Sequence, residues 1–191
     1  MRLAYFGGSF DPPHVGHLLA AQDAFDQLAL DRLVVIPAAA QPLKSAEVTP
    51  AAQRLEMTRL TFGGDPRFEV SDVEVQRGGV SFTVDTLEHF AARHPDAERF
   101  LLLGADVLAT FGQWREPARV LTLARPVVLV RHSDEADQPA ELAGARVLKL
   151  ATRRVDVSST EIRARVRSGK SIRGFVTDSV AALIERDGLY R

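Results

Sequence analysis

The sequence predicts an α/β protein built on a doubly wound, mostly parallel sheet in a single domain, residues 1–191. Short apolar runs alternate with longer amphipathic stretches, the rhythm of strand–helix–strand units. Most of those runs are continuously apolar, as strands covered on both faces are. A chain of 191 residues with 46% hydrophobic and 26% charged residues is also the size and composition of one ordinary globular unit.

In chain order, the expected strands are 2–6 (RLAYF), 32–37 (RLVVIP), 67–75 (RFEVSDVEV), 99–104 (RFLLLG), 126–131 (PVVLVR) and 146–150 (RVLKL). Helices are expected at 15–29, 50–62, 83–93, 107–112, 117–124, 159–168 and 176–187. Thr49-Pro50 offers an N-cap followed by proline at the first helical position. Ser158 and Glu161 have the spacing of a capping box. Asp187-Gly188 has the form of a helix end. Residues 131–144 (RHSDEADQPAELAG) read as a polar surface loop, and 38–48 as a candidate lid. The order of elements is Rossmann-like.

Composition removes several classes. The net charge of −1 gives no whole-chain footprint for nucleic acid, and none is expected as a partner. With no cysteine there is no disulfide, thiolate metal site or cysteine nucleophile. No apolar run approaches the roughly 20 residues of a membrane span. No secretory leader is recognisable. The expectation is a soluble cytoplasmic chain without a membrane partner, its oligomeric state open.

The first strand runs straight into GGSFDPPHVGHL, residues 7–18. Strand, glycines and helix start together make an anion-binding recipe. Backbone N–H groups of Gly7 and Gly8 can approach a phosphate closely, and the helix start adds unsatisfied donors and partial positive charge. Asp11, Pro12 and Pro13 enforce a turn. His14 and His17 are about one helical turn apart, so both can face one side, each with an N–H to offer, and Gly16 between them clears space for a ligand. The loop is neither a Walker A motif nor a dinucleotide fingerprint. A zinc pair would need a third ligand that is not evident nearby, and no metal site is expected. A glycine-rich turn with incidental histidines is the plain structural alternative.

Gly8-Ser9-Phe10-Asp11-Pro12-Pro13-His14-Val15-Gly16-His17 resembles, without departure, the signature of the adenylyl- and cytidylyltransferase superfamily. That superfamily carries a second motif before a late helix, which VSSTEIRAR resembles at Val157 to Arg165. Hydroxyls and N–H groups at a helix start, with the forked cation of Arg163, form a second phosphate cradle. Residues 151–175 hold seven Arg/Lys against two acids, which suits a triphosphate. Class I aminoacyl-tRNA synthetases share a related histidine loop, but this chain is too short for their tRNA-binding parts.

Further stretches narrow the resemblance to bacterial nicotinate-nucleotide adenylyltransferases: the paired glycines, RGGVSFTVDTLEHF (77–90), FLLLGADVLATFGQWREP (100–117) and DGLYR at the C-terminus. The resemblance implies a reaction of ATP with nicotinate mononucleotide, with Mg²⁺ carried on ATP. It implies His14, His17, Lys44 and Arg163 as catalytic groups. ATP is expected on Gly7, Gly8, Ser9, Phe10, Gly104, Asp106, Ser158, Ser159 and Thr160, with Asp106 at a ribose. The acceptor is expected on Ser81, Thr83, Trp114 and Arg115, with its pyridine stacked on Trp114 and its carboxylate on Thr83 and nearby N–H groups. Asp106 also reads as a helix cap, and Trp114 as a core residue. Phe82 replaces the family's tyrosine, Leu43 its histidine before Lys44, and Arg115 a frequent tyrosine. Nicotinamide mononucleotide or pantetheine phosphate as acceptor, and a nucleotide sensor without turnover, are the rival readings.

Overall fold

Strand β1 (Arg2–Gly8) runs through the middle of a six-stranded sheet, parallel to β2 (Arg32–Pro37) on one side and β4 (Glu98–Gly104) on the other. The computed structural model describes residues 1–42, 49–130, 141–142 and 145–191. Beyond β2 lies β3 (Phe68–Val70), and beyond β4 lie β5 (Arg125–Val130) and β8 (Leu148–Ala151), all parallel. A short antiparallel pair, β6 (Glu141–Leu142) and β7 (Ala145–Arg146), precedes β8.

The continuous apolar runs have the expected cause: alternate residues enter two different cores. Leu3, Tyr5, Val34, Ile36, Leu101, Leu103 and Val128 pack on one face with α4 (Thr83–Arg93) and α5 (Pro117–Leu123). Ala4, Phe6, Leu33, Val35, Phe100, Leu102 and Val127 pack on the other with α1 (Val15–Gln27) and the end of α2 (Ala51–Phe62). A third cluster joins Met57 of α2 to α6 (Ser159–Arg167) and α7 (Asp178–Arg186) through Ile162, Val180, Leu183 and Ile184. The strand order 3-2-1-4-5-8 reverses direction between β1 and β4. In such sheets the crevice beyond the carboxyl ends at that switch point receives ligands.

Three local expectations are corrected. The run 67–75 is not one strand. Its sheet pairing stops at Val70, Ser71 closes the ladder on Val35, and Gln76 N–H donates to the Asp72 carbonyl to start α3 (Val73–Arg77). The helix expected at 107–112 is instead two 3₁₀ turns, Ala105–Ala109 and Phe111–Gln113, closed by three-residue hydrogen bonds at Thr110, Gln113 and Trp114. Thr49 does not cap α2, because Pro50 takes that position and the Thr49 backbone is used elsewhere. At the other two termini the helix end at Asp187-Gly188 forms as read, and of the capping box at Ser158 the serine half forms. The Ser158 hydroxyl accepts from Glu161 N–H at 3.1 Å, and after Asp187 the N–H groups of Gly188 and Leu189 bond back to Glu185 and Ile184. Most of the 131–144 loop and the second half of the candidate lid, 43–48, lie outside the described residues.

Candidate active site

A cleft of about 1420 Å³ opens at the switch point, between the carboxyl ends of β1 and β4. Its first wall is the loop from Gly7 to His17. The rings of His14 and His17 stack at 3.7 Å between centroids, tilted by 28°. His14 backbone N–H donates to His17 Nδ1 at 3.2 Å. The neutral His17 ring therefore carries its proton on Nε2. Phe10 supports His17 edge-on at 5.1 Å. Its own ring is in the core and its φ is +50°, so what Phe10 can offer a nucleotide is backbone. Gly16 clears space for the histidine rather than for a ligand: a Cβ there would lie 3.0 Å from His14 Nδ1.

The second wall comes from the other end of the chain. Arg163 on α6 donates to the Asp11 carbonyl at 2.8 Å and to Thr160 Oγ1 at 3.2 Å. Its Nε is buried, with no hydrogen-bond partner among the described residues. Ser159 Oγ donates to the Pro12 carbonyl at 2.8 Å, and Ser158 Oγ caps the helix. Of the three hydroxyls expected on phosphate, that of Ser159 thus fastens the start of α6 to the histidine loop, while those of Ser158 and Thr160 accept bonds from α6 itself. Of the neighbouring cations, Arg153 pairs with Asp23, Arg154 with Asp156, and Arg165 lies over Phe175.

At the far end, β4 stops at Gly104. A Cβ there would meet Asp106 Oδ1 at 2.5 Å, so glycine lets that carboxylate fold back over the strand end. Gly104 occupies the N-cap of the following 3₁₀ turn and Asp106 lies within its first turn, exposed on the rim, which removes its reading as the helix cap. The 3₁₀ turns bring Trp114 to the cleft, half-buried, its ring 5.1 Å from Phe111. Phe82 and Thr83 line the same cleft at the uncapped N-terminus of α4. Arg115 lies across that helix start, its guanidinium 5.0 Å from the Phe82 ring and 3.5 Å from Asp85 Oδ2. Ser81 Oγ accepts from Ala39 N–H at 3.0 Å. Lys44 lies outside the described residues, as does Leu43.

Sequence reasoning missed three groups that hold these walls. Arg54, 1% exposed, donates to the carbonyls of Ser9, Ala38, Ala39 and Thr49 at 2.7–3.0 Å. Tyr190 hydroxyl donates to Asp11 Oδ1 at 2.7 Å, and burial pushes its pKa well above the usual tyrosine range. Glu74 is buried under the Ser81–Thr86 segment. The advance signals were Arg54 falling on the helix face shared with Thr58 and Thr61, and Tyr190 falling within the DGLYR stretch.

Two anion-seeking walls from opposite ends of the chain, meeting at the switch point of a doubly wound sheet, define a nucleotidyltransferase. Residues 5–165 match the cytidylyltransferase-like family. A relative from Gemmatimonas aurantiaca, "Probable nicotinate-nucleotide adenylyltransferase", is 53% identical over 100% of this chain and 93% of its own. One of the same name from Thermus thermophilus is 44% identical over 100% of both chains. Among solved structures, Plasmodium falciparum nicotinic acid mononucleotide adenylyltransferase complexed with NaAD shares the fold, with a TM-score of 0.79 at 16% identity over 99% of this chain and 97% of that one. The chain belongs to the cytidylyltransferase-like family and, within it, to the nicotinate-nucleotide adenylyltransferases.

Proposed function

We propose that this enzyme transfers the adenylyl group of ATP to nicotinate mononucleotide, giving nicotinate adenine dinucleotide and pyrophosphate in NAD biosynthesis. The observation that carries the proposal is a single cleft lined by the paired histidines and Arg163 and also by Trp114 and the uncapped N-terminus of α4. An anionic triphosphate suits the first group. A flat ring bearing a carboxylate suits the second, by stacking and by helix-terminal N–H donors.

In the reaction, an oxygen of the acceptor's phosphate bonds to the α-phosphorus of ATP as the bond from that phosphorus to the bridging oxygen breaks. Pyrophosphate leaves with the electron pair. The acceptor is already an anion, so no protein nucleophile is needed, and the protein contributes positioning and charge stabilisation. His14 and the Nε2–H of His17 would hold the α-phosphoryl oxygens as charge builds there. Arg163 and Lys44 would hold the leaving β- and γ-phosphates. Gly7, Gly8, Ser9 and Phe10 would offer backbone, as would the start of α6 at Ser158, Ser159 and Thr160. Gly104 and Asp106 would take a ribose, and Ser81, Thr83, Trp114 and Arg115 the pyridine end.

A divalent cation, Mg²⁺ in this reading, would neutralise phosphate charge while riding on ATP's own oxygens and water. Among the described residues no three His, Cys, Asp or Glu side chains converge. Among those residues no helix is long and apolar enough to cross a membrane. We read the chain as one cytoplasmic nucleotidyltransferase unit without a nucleic-acid partner.

The test is pyrophosphate release with Mg-ATP and, in turn, nicotinate mononucleotide, nicotinamide mononucleotide and pantetheine phosphate. Preferred turnover of the nicotinate compound is expected. Preference for another acceptor would redirect the pyridine end, and ATP binding without turnover of any would indicate a sensor.

A further inference from the structure

One ionisable side chain beside the cleft has no part in the chemistry above. Glu74, 7% exposed, sits on the five-residue helix α3 and lines the acceptor end with Ser81, Phe82, Thr83 and Thr86. Its Oε1 accepts from the Thr86 hydroxyl at 2.6 Å, and Ser81's hydroxyl also hydrogen-bonds to it.

Both hydroxyls are committed on their other side. Ser81 Oγ accepts from Ala39 N–H at 3.0 Å, while Ser81 N–H donates to the Ala40 carbonyl at 2.8 Å. Thr86 Oγ1 accepts from Arg77 at 3.0 Å. An ionised carboxyl only accepts, so it orients both hydroxyl protons toward itself and turns their lone pairs to Ala39 and Arg77. Through these bonds one side chain joins three segments: the loop after β2, the turn at 78–82 and the first turns of α4. Burial disfavours its charged form, raising its pKa. An apolar residue of similar volume would avoid that cost, so packing alone does not account for a carboxyl here.

We propose that Glu74 is a positioning residue for the acceptor nucleotide: by fixing Ser81 and Thr86, it sets the start of α4 at the correct distance from Trp114. This rests on the functional reading above and deepens it. The acceptor's ring is gripped between those two surfaces, whereas the phosphate walls at His14, His17 and Arg163 are built from other segments. The effect therefore falls chiefly on the acceptor.

The experiment compares wild type with E74A, E74Q and T86V, measuring kcat, KM for each substrate, and acceptor binding through the fluorescence of Trp114, the single tryptophan. Losing two hydrogen bonds to a buried carboxyl predicts that E74A raises KM and Kd for nicotinate mononucleotide about tenfold, with KM for ATP within about twofold. E74Q, which keeps one acceptor, should lie between, and T86V in the E74A background should add little. Equal rises in both KM values, or a lower melting temperature with both KM values unchanged, would overturn the positioning role. Should E74A not fold, the isosteric E74Q carries the same comparison. A wild type that neither binds nor turns over nicotinate mononucleotide would overturn the functional reading, whereas unimpaired variants beside an active wild type overturn only the role of Glu74.

Discussion

His14 and His17 form one unit: their rings are stacked at 3.7 Å, and the backbone of the first fixes the tautomer of the second. His17→Ala removes the ring whose Nε2–H points away from that contact. Its kcat should fall about 10²–10³-fold while KM values change far less, as for a donor that acts mainly in the transition state. Steady-state kinetics with both substrates check this. Equal losses in binding and turnover would assign His17 to ground-state binding.

Trp114 and Arg115 should separate affinity from selectivity. Trp114→Ala should raise KM for the nicotinate nucleotide by about tenfold with little change for ATP, the loss of one ring-stacking contact. Arg115 lies over Phe82 beside Asp85, so much of its charge is already answered. Arg115→Ala is expected to reduce the preference for acid over amide acceptor only a few-fold, leaving the N-terminus of α4 as the main determinant. Competition between the two mononucleotides reads that ratio directly.

Arg54→Met should cost about 3–5 kcal/mol of stability, because it strands carbonyls that a buried guanidinium satisfied. Lysine cannot fork toward four acceptors, so Arg54→Lys should recover little of the loss. Denaturant unfolding measures both. A loss under about 1 kcal/mol would mean that water replaces the arginine.

Tyr190→Phe takes away a hydroxyl that reaches Asp11 from near the C-terminus. A buried carboxylate losing a donor predicts destabilisation of about 1–3 kcal/mol. Because the Asp11 carbonyl also receives Arg163, a parallel rise in KM for ATP is expected.

Glu74 should leave a mark on the pH dependence of stability. Its carboxyl is raised by burial and, to a smaller degree, by Asp85, against the opposing pull of Thr86, Ser81 and Arg77. The folded state therefore binds this proton more tightly than the unfolded chain. That contribution is complete below the ordinary glutamate pKa and is lost as pH rises through the folded value. Melting temperatures from acid to neutral pH should show wild type losing ground to E74Q as pH increases. A constant gap would show that Glu74 does not titrate differently on folding.

Much of this was legible because motifs with specific chemistry coincide with simple periodicity. The helices at 83–93 and 159–167 fall within a residue of expectation, and the Gly7–His17 and Ser158–Arg163 stretches do meet in space. What escaped is where tertiary contacts override local pattern. Val73 and Val75 flank Glu74 in a strand-like alternation, yet the chain turns helical there once Val70 ends the sheet pairing. Arg54 reads as a solvent-facing helix residue because arginine is rarely buried. The carbonyls of two distant loops, with that of nearby Thr49, make its burial favourable. Tyr190 and Asp11 are 179 positions apart, and no local window holds both.

The hydrogen bonds that close the phosphate cradle span 147 and 152 positions of the chain, from the histidine loop to α6. During synthesis the first wall leaves the ribosome early, but the second does not exist until Arg163 has been added. A nascent or C-terminally truncated chain therefore carries the histidine motif without a complete grip on nucleotide. Contacts of such sequence separation are entropically expensive to close and tend to form late in folding. Once closed, the cradle makes nucleotide affinity a report on completion: a chain that holds ATP in this way has already brought its two ends together.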